Sequence, residues 1–137
     1  MSAVFRSTRL VEFADTDMAG IAHFSAFFRW MESAEHAFLR ARGLSVFMDW
    51  EGERLSFPRV AAACDYLSPV RFEQILDVEV RLARLGTKSL TYEIDFSLAG
   101  RPAAKGRLTT VCCRVTPGRH EMESVAVPPG VRERLLA

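Results

Sequence analysis

Apolar residues recur along this chain with two different periods, and the switches between them outline the fold. Residues 4–14 are rich in β-branched and aromatic types, with Phe5, Val11 and Phe13 on one alternating face, which predicts a first strand. A loop over Asp15–Ala22 follows, with Gly20 as its pivot. From Phe24 the period lengthens to that of a helix. Ser25, Arg29, Glu32, His36 and Arg40 line up as one polar stripe. Phe24, Phe27, Phe28, Trp30, Met31, Ala34, Ala37 and Phe38 fill an unusually wide apolar arc. A surface helix needs only one narrower apolar face, so this one requires a large surface around it. Arg40 and Arg42 suit the negative end of the helix dipole, and Gly43 suits the position just past the end.

Beyond the helix, residues 45–56 give mixed signals and read as loop with a helical turn. Pro58–Leu67 predicts a strand stopped by Ser68-Pro69. Leu76, Val78, Val80 and Leu82 alternate with Asp77, Glu79 and Arg81, and Leu90, Tyr92, Ile94, Phe96 and Leu98 alternate with Thr91, Glu93, Asp95 and Ser97. A turn around Gly86 separates these runs, and Ala99-Gly100-Arg101-Pro102 makes the next. Ala103–Thr116 predicts a last long strand, and "PPGVRERLLA" a break and a short terminal helix. Such closely spaced turns exclude a parallel βαβ architecture, which needs a helix between strands. The expected fold is therefore α+β, a single domain over residues 1–137 with an antiparallel sheet wrapped around one long central helix.

Composition narrows the functional classes. The chain has 137 residues, 49% of them hydrophobic, enough for one domain with a real core. Lys plus Arg number 18 against 17 for Asp plus Glu, and the resulting net charge of +1 leaves no electrostatic footprint for nucleic acid. No window approaches the ~18 apolar residues of a membrane span, and the N-terminus has no apolar signal region. A cytoplasmic protein is expected. The odd number of cysteines, Cys64, Cys112 and Cys113, points to free thiols, with the adjacent pair on opposite faces of a strand.

The candidate chemistry sits in "EFADTDMAGIAHF", Glu12 to Phe24. Asp15 and Asp17 approach a helix N-terminus, where a carboxylate can cap free N–H groups, shape the loop or do chemistry. The Asp-x-Asp pattern of a haloacid-dehalogenase nucleophile is rejected, because that fold needs a parallel sheet and a longer chain. A metal site would need His23 with Asp15 or Asp17, joined by His36 or His120. The histidines show no i,i+4 pairing and no ligand spacing, so no metal is expected. Glu32 and His36 read as a solvated helix pair. His23 reads as a cap, or as a donor to a substrate carbonyl.

The segment "VEFADTDMAGIAHFSAFFRWMESAEHAFLRARGL" resembles the strand, loop and helix of the 4-hydroxybenzoyl-CoA thioesterase family of hot-dog-fold proteins. The matching features are Asp15-Thr16-Asp17, Gly20, the aromatic helix with Trp30, Met31 and Glu32, and Gly43. The later Pro69 break, alternating strands and Leu85-Gly86-x-x-Ser89 turn are similar too, so the resemblance covers about residues 8–115. It implies a hot-dog fold and hydrolysis of an aromatic or short- to medium-chain acyl-CoA. The acting carboxylate it implies is Asp17, within Asp17-Met18-Ala19-Gly20, as nucleophile or general base. Asp15 takes the family's non-catalytic acidic position. The helix start near His23, Phe24 and Ser25 supplies the oxyanion hole, with the Phe24 backbone N–H among its donors, and Gly20 permits close backbone approach.

Some members carry tyrosine or phenylalanine where His23 stands, and other hot-dog branches use a helix glutamate, here Glu32 or Glu35. The motifs of the hot-dog dehydratases are missing. Phe27, Phe57, Ala61 and Ala63 are candidates for the acyl pocket, and Arg59, Arg84 and Lys88 for the phosphates of coenzyme A, which enters only as part of the substrate. No other cofactor is implied. The family assembles as homodimers with continuous sheets, often paired into tetramers. The competing function is a hot-dog protein that binds an acyl-thioester without hydrolysing it, or a thioesterase acting on acyl carrier protein.

Overall fold

Helix α1 (Phe24–Arg40) lies against one face of a curved five-stranded antiparallel sheet, and its sequence explains why. Ala26, Phe27, Trp30, Met31, Ala34, Phe38 and Leu39 recur at spacings of three and four and are all buried. Ser25, Arg29, Glu32, His36 and Arg40 remain exposed or half-buried as the polar stripe. The computed structural model describes residues 4–119 and 121–137, so His120 lies outside the described residues. Gly43, at φ +70°, turns the chain so that the Leu44 N–H reaches back to the Leu39 carbonyl at 2.9 Å. Phe24 departs from the expected arc. It is 62% exposed.

The sheet is ordered β1 (Phe5–Leu10), β5 (Ile75–Leu85), β6 (Ser89–Leu98), β7 (Arg101–Val111), β4 (Arg59–Tyr66), all antiparallel. Leu76, Val78, Val80 and Leu82 of β5 and Leu90, Tyr92, Ile94 and Phe96 of β6 are buried against α1. Ring pairs tie the layers: Phe27 meets Phe96 at 5.5 Å and Phe38 meets Tyr92 at 5.6 Å, both edge to face. On the opposite face Arg81 stands across from Glu93, Glu93 from Arg107, and Asp95 from Lys105. These cross-strand opposite charges suit a solvated face. At Gly106 a Cβ would run into Met31 Sδ, so the missing side chain lets the helix sit close to β7.

A second sheet, ordered β2 (Phe47–Trp50), β3 (Glu53–Ser56), β8 (Cys113–Val115), β9 (Met122–Ser124), covers the far end, and α2 (Pro129–Leu136) packs there through Val131 and Leu135. Here three sequence expectations fail. Residues 45–56 form a hairpin rather than a loop, its two-residue turn being Glu51 at φ 48° and Gly52 at φ 82°, the left-handed pair that a tight hairpin demands. The expected strand over Ala103–Thr116 breaks at Cys112. That residue's N–H bonds the Lys88 carbonyl while its own carbonyl accepts from Val125, so the chain changes sheets there. Cys112 and Cys113 are consequently both buried, and burial pushes the Cys112 thiol up to about 11. The first strand also ends early, at Leu10: Phe13 sits in a 3-10 turn, Phe13–Asp15, and is 77% exposed.

Candidate active site

Two aspartates one residue apart have opposite environments. Asp15 is buried and fully engaged. Its Oδ2 accepts from the Glu12 N–H at 2.8 Å, its Oδ1 from Arg29 at 3.3 Å, and its carbonyl from the His23 N–H at 2.7 Å. It joins the end of the 3-10 turn to the start of α1. Asp17 is exposed, at the head of a tight reversal in which its N–H bonds the Ile21 carbonyl at 2.9 Å and its carbonyl accepts from Gly20 at 3.0 Å. Gly20 permits this turn by adopting φ +79°. One Asp17 oxygen, Oδ1, accepts from the Ala19 N–H at 2.9 Å; among the described residues Oδ2 has no partner. An exposed carboxylate with one oxygen tethered and one open is oriented yet available.

The start of α1 distributes its N–H groups unevenly. His23 is the N-cap, and its Nδ1 accepts from the Ser25 N–H at 3.2 Å and lies 2.7 Å from the Ser25 hydroxyl. The Ala26 N–H bonds the His23 carbonyl at 2.9 Å. Among the described residues the Phe24 N–H finds no acceptor, which leaves one free donor at the positive end of the helix dipole.

Asp17 and Phe24 line the same cavity, of about 390 Å³, with Ile21, Ala22 and Phe27 from the loop and helix and Tyr66 through Val70 from the end of β4 and the chain beyond it. The Tyr66 ring meets Phe27 edge to face at 5.3 Å, and the Ala22 N–H holds the Val70 carbonyl at 2.8 Å. The cavity is therefore a largely apolar, ring-walled slot whose lining includes both Asp17 and Phe24. A cleft of about 480 Å³ between Phe47 and Arg119 is a weaker candidate, since its Arg54 and Arg114 are matched by Asp49, Glu53 and Glu123.

The structure thus gathers Asp17, Gly20, His23, Phe24 and Phe27, and separates the other expected site residues from them within one chain. Phe57 is a buried core residue, and Ala61 and Ala63 are exposed. Arg84 and Lys88 sit at the β5–β6 turn, roughly 30 Å along β5 from the strand end nearest the Asp17 loop. Lys88 Nζ lies 3.3 Å from the Ser124 hydroxyl. Arg59 is already engaged, ion-paired with Glu32 at 3.3 Å and hydrogen-bonded to Glu35. Glu35 is completely buried, and burial raises its pKa while Arg59 opposes the rise. Burial also lowers the pKa of the neighbouring His36, which lies 3.9 Å from Glu35.

Residues 11–135 match the thioesterase-like superfamily over nearly the whole fold described above. The chain belongs to that superfamily. This thioesterase-like protein is 31% identical, over 94% of its own length and 87% of the relative's, to the 1,4-dihydroxy-2-naphthoyl-CoA hydrolase of Prochlorococcus marinus strain MIT 9303. Its structure resembles that of BH1999, a gentisyl-coenzyme A thioesterase, with a TM-score of 0.77 at 25% identity, covering 96% of this chain and 98% of the other. The fold also matches Slr0204, a 1,4-dihydroxy-2-naphthoyl-CoA thioesterase from Synechocystis, with a TM-score of 0.82 at 21% identity and coverages of 97% and 96%. The hot-dog fold expected of the thioesterase-like protein is thereby confirmed. Among the described residues no helix is long and apolar enough to cross a membrane, and no three potential ligand side chains converge as a metal site.

Tyr66, Leu67, Ser68 and Val70 line the slot but went unrecognised in the sequence. The available signal was the Ser68-Pro69 break, which ends β4 beside the helix start.

Proposed function

We propose that this thioesterase-like protein hydrolyses aromatic acyl-CoA thioesters, in the manner of the 4-hydroxybenzoyl-CoA thioesterase family it resembles. The observation that carries this reading is the sharing of one apolar slot by the open Asp17 carboxylate and the unpaired Phe24 N–H. The Phe27 and Tyr66 rings suit an aryl acyl group, and the relatives named above act on aromatic CoA esters.

Attack on the thioester carbonyl moves an electron pair onto its oxygen, and the Phe24 N–H faces that developing charge. Collapse of the adduct expels the coenzyme A thiolate. Asp17 acts either as the nucleophile, forming a mixed anhydride that water then opens, or as the base that takes a proton from the attacking water. Neither route calls on a metal or other cofactor.

The outer edge of β4 supports a homodimer. Seven of its eight residues are exposed, and among the described residues β7 is its one strand neighbour. Antiparallel pairing with a second copy would make the sheets continuous and cover this edge, and two such dimers would make a tetramer. The protein is read as cytoplasmic.

The test is thiol release from a panel of aromatic, short-chain and medium-chain acyl-CoAs, with Asp17→Asn alongside. Aromatic esters should turn over fastest. Asp17→Asn should lose at least roughly 10²-fold in kcat while keeping the fold and acyl-CoA binding. Hydrolysis by the variant at the parent's rate would refute the role of Asp17. Flat rates across the panel would favour a carrier-protein substrate or a binding role.

A further inference from the structure

We infer that Tyr66 is a positioning residue for the oxyanion donor, acting through the Phe24 peptide. This rests on the thioesterase reading of the Asp17 slot. Tyr66 is the last residue of the edge strand β4, and its hydroxyl donates to the Phe24 carbonyl at 2.9 Å. Helix geometry already commits that carbonyl to the Phe28 N–H, so the Tyr66 bond is an additional, tertiary one.

Phe24 needs such a tie. It is the first residue of α1, where N–H groups lack intrahelical partners, and it is 62% exposed, its ring meeting the His23 ring at 4.5 Å, so side-chain packing holds it only from one side. The peptide before its Cα is held by the bond from the Ala26 N–H to the His23 carbonyl at 2.9 Å. The peptide after it is held by Tyr66 and by the 3.2 Å bond from the Ser25 N–H to His23 Nδ1. With both flanking peptides fixed, the Phe24 N–H keeps one direction beside the slot that its residue lines. A donor already aimed at the developing charge needs no reorganisation in the transition state. The Tyr66 ring separately walls the slot against Phe27, so ring and hydroxyl carry different functions that different substitutions separate.

Tyr66→Phe removes the hydroxyl and keeps the wall. In the full-length protein, with the fastest thioester of the panel, kcat should fall roughly tenfold while KM stays within about twofold, the split expected when only transition-state stabilisation is lost. Tyr66→Leu should lower kcat similarly and also raise KM. In both, the melting temperature should stay within a few degrees of the parent's, and the Phe24 amide resonance should move and exchange faster with solvent. A Tyr66→Phe protein with the parent's kcat, or with its whole defect in KM, would overturn the inference. So would an unchanged Phe24 amide. If the parent turns over no thioester, the functional reading fails by itself, and the Phe24 amide still decides whether Tyr66 positions it.

Discussion

Replacing Arg59 by methionine removes a cation from the α1–β4 junction while keeping a long apolar stem. Glu32 loses little, since its side chain is 52% exposed and water takes over from the guanidinium. Glu35 has no such recourse. Its side chain has no exposure, and its Oε2 already lacks a partner. Burial pushes its pKa up from the ordinary 4.5, and Arg59 is the main group pulling it back. Without Arg59 the folded protein avoids a buried lone charge by protonating Glu35, whereas the unfolded chain ionises it. At pH 7 the medium lies roughly 2.5 units above the unfolded carboxyl's pKa, and each unit is ~1.4 kcal/mol, so keeping Glu35 protonated costs at most about 3 kcal/mol, part of which the parent, whose Glu35 is already raised, also bears. The sign follows from proton counting: above the unfolded pKa the native state binds more protons, so stability falls as pH rises, until the folded pKa is passed. At pH 5.5 only about one unit remains, and that ceiling shrinks to about 1.4 kcal/mol. Urea unfolding of parent and variant at both pH values, at one protein concentration, measures this directly. Arg59→Met/Glu35→Leu should recover most of the stability, since a buried pair is often replaceable by well-packed apolar groups. No deficit at pH 7, or one that fails to shrink at pH 5.5, would refute the account.

Two further substitutions probe the frame of the site. Gly106→Ala pushes a methyl group into Met31 at the closest approach of helix and sheet, and should cost about 1–3 kcal/mol in urea unfolding; a neutral result would mean that α1 shifts freely on the sheet. Glu51→Asn relieves a non-glycine residue at φ 48° in the β2–β3 turn and should stabilise by about 0.5 kcal/mol, a gain that a lowered melting temperature would contradict.

How legible the molecule was depended on how local the cause of each feature is. Strands β5 and β6 alternate strictly and share one buried face, so their period was sufficient, and the helix stood out by the width of its apolar arc. The β2–β3 hairpin was hidden because Glu51 occupies a left-handed position more usual for asparagine or glycine. The break at Cys112 has no local signal, since two sheets competing for one backbone cause it. At the site, Asp17 and Gly20 fall within one four-residue motif and could be named. Tyr66 and Val70 reach the slot only through tertiary packing, about fifty residues downstream of Asp17. Glu35 was readable in part, for it falls in register with Met31, Ala34 and Phe38, and a carboxylate on that buried stripe requires a partner.

The order in which the chain is synthesised gives strand β4 a further significance. Its sequence neighbours are not its sheet neighbours: it pairs with β7, which ends at Val111, about 45 residues after Tyr66 has left the ribosome. At ~5–20 residues per second, β4 waits some seconds with both edges open. Its middle, Val60-Ala61-Ala62-Ala63-Cys64, carries neither charge nor proline, the usual means of discouraging a wrong strand from adding on. Docking of β7 closes one edge; the other stays open in the single chain, and the proposed pairing with a second copy would close it. The same uncharged strand is therefore the segment through which crowded, half-made chains would adhere before β7 docks.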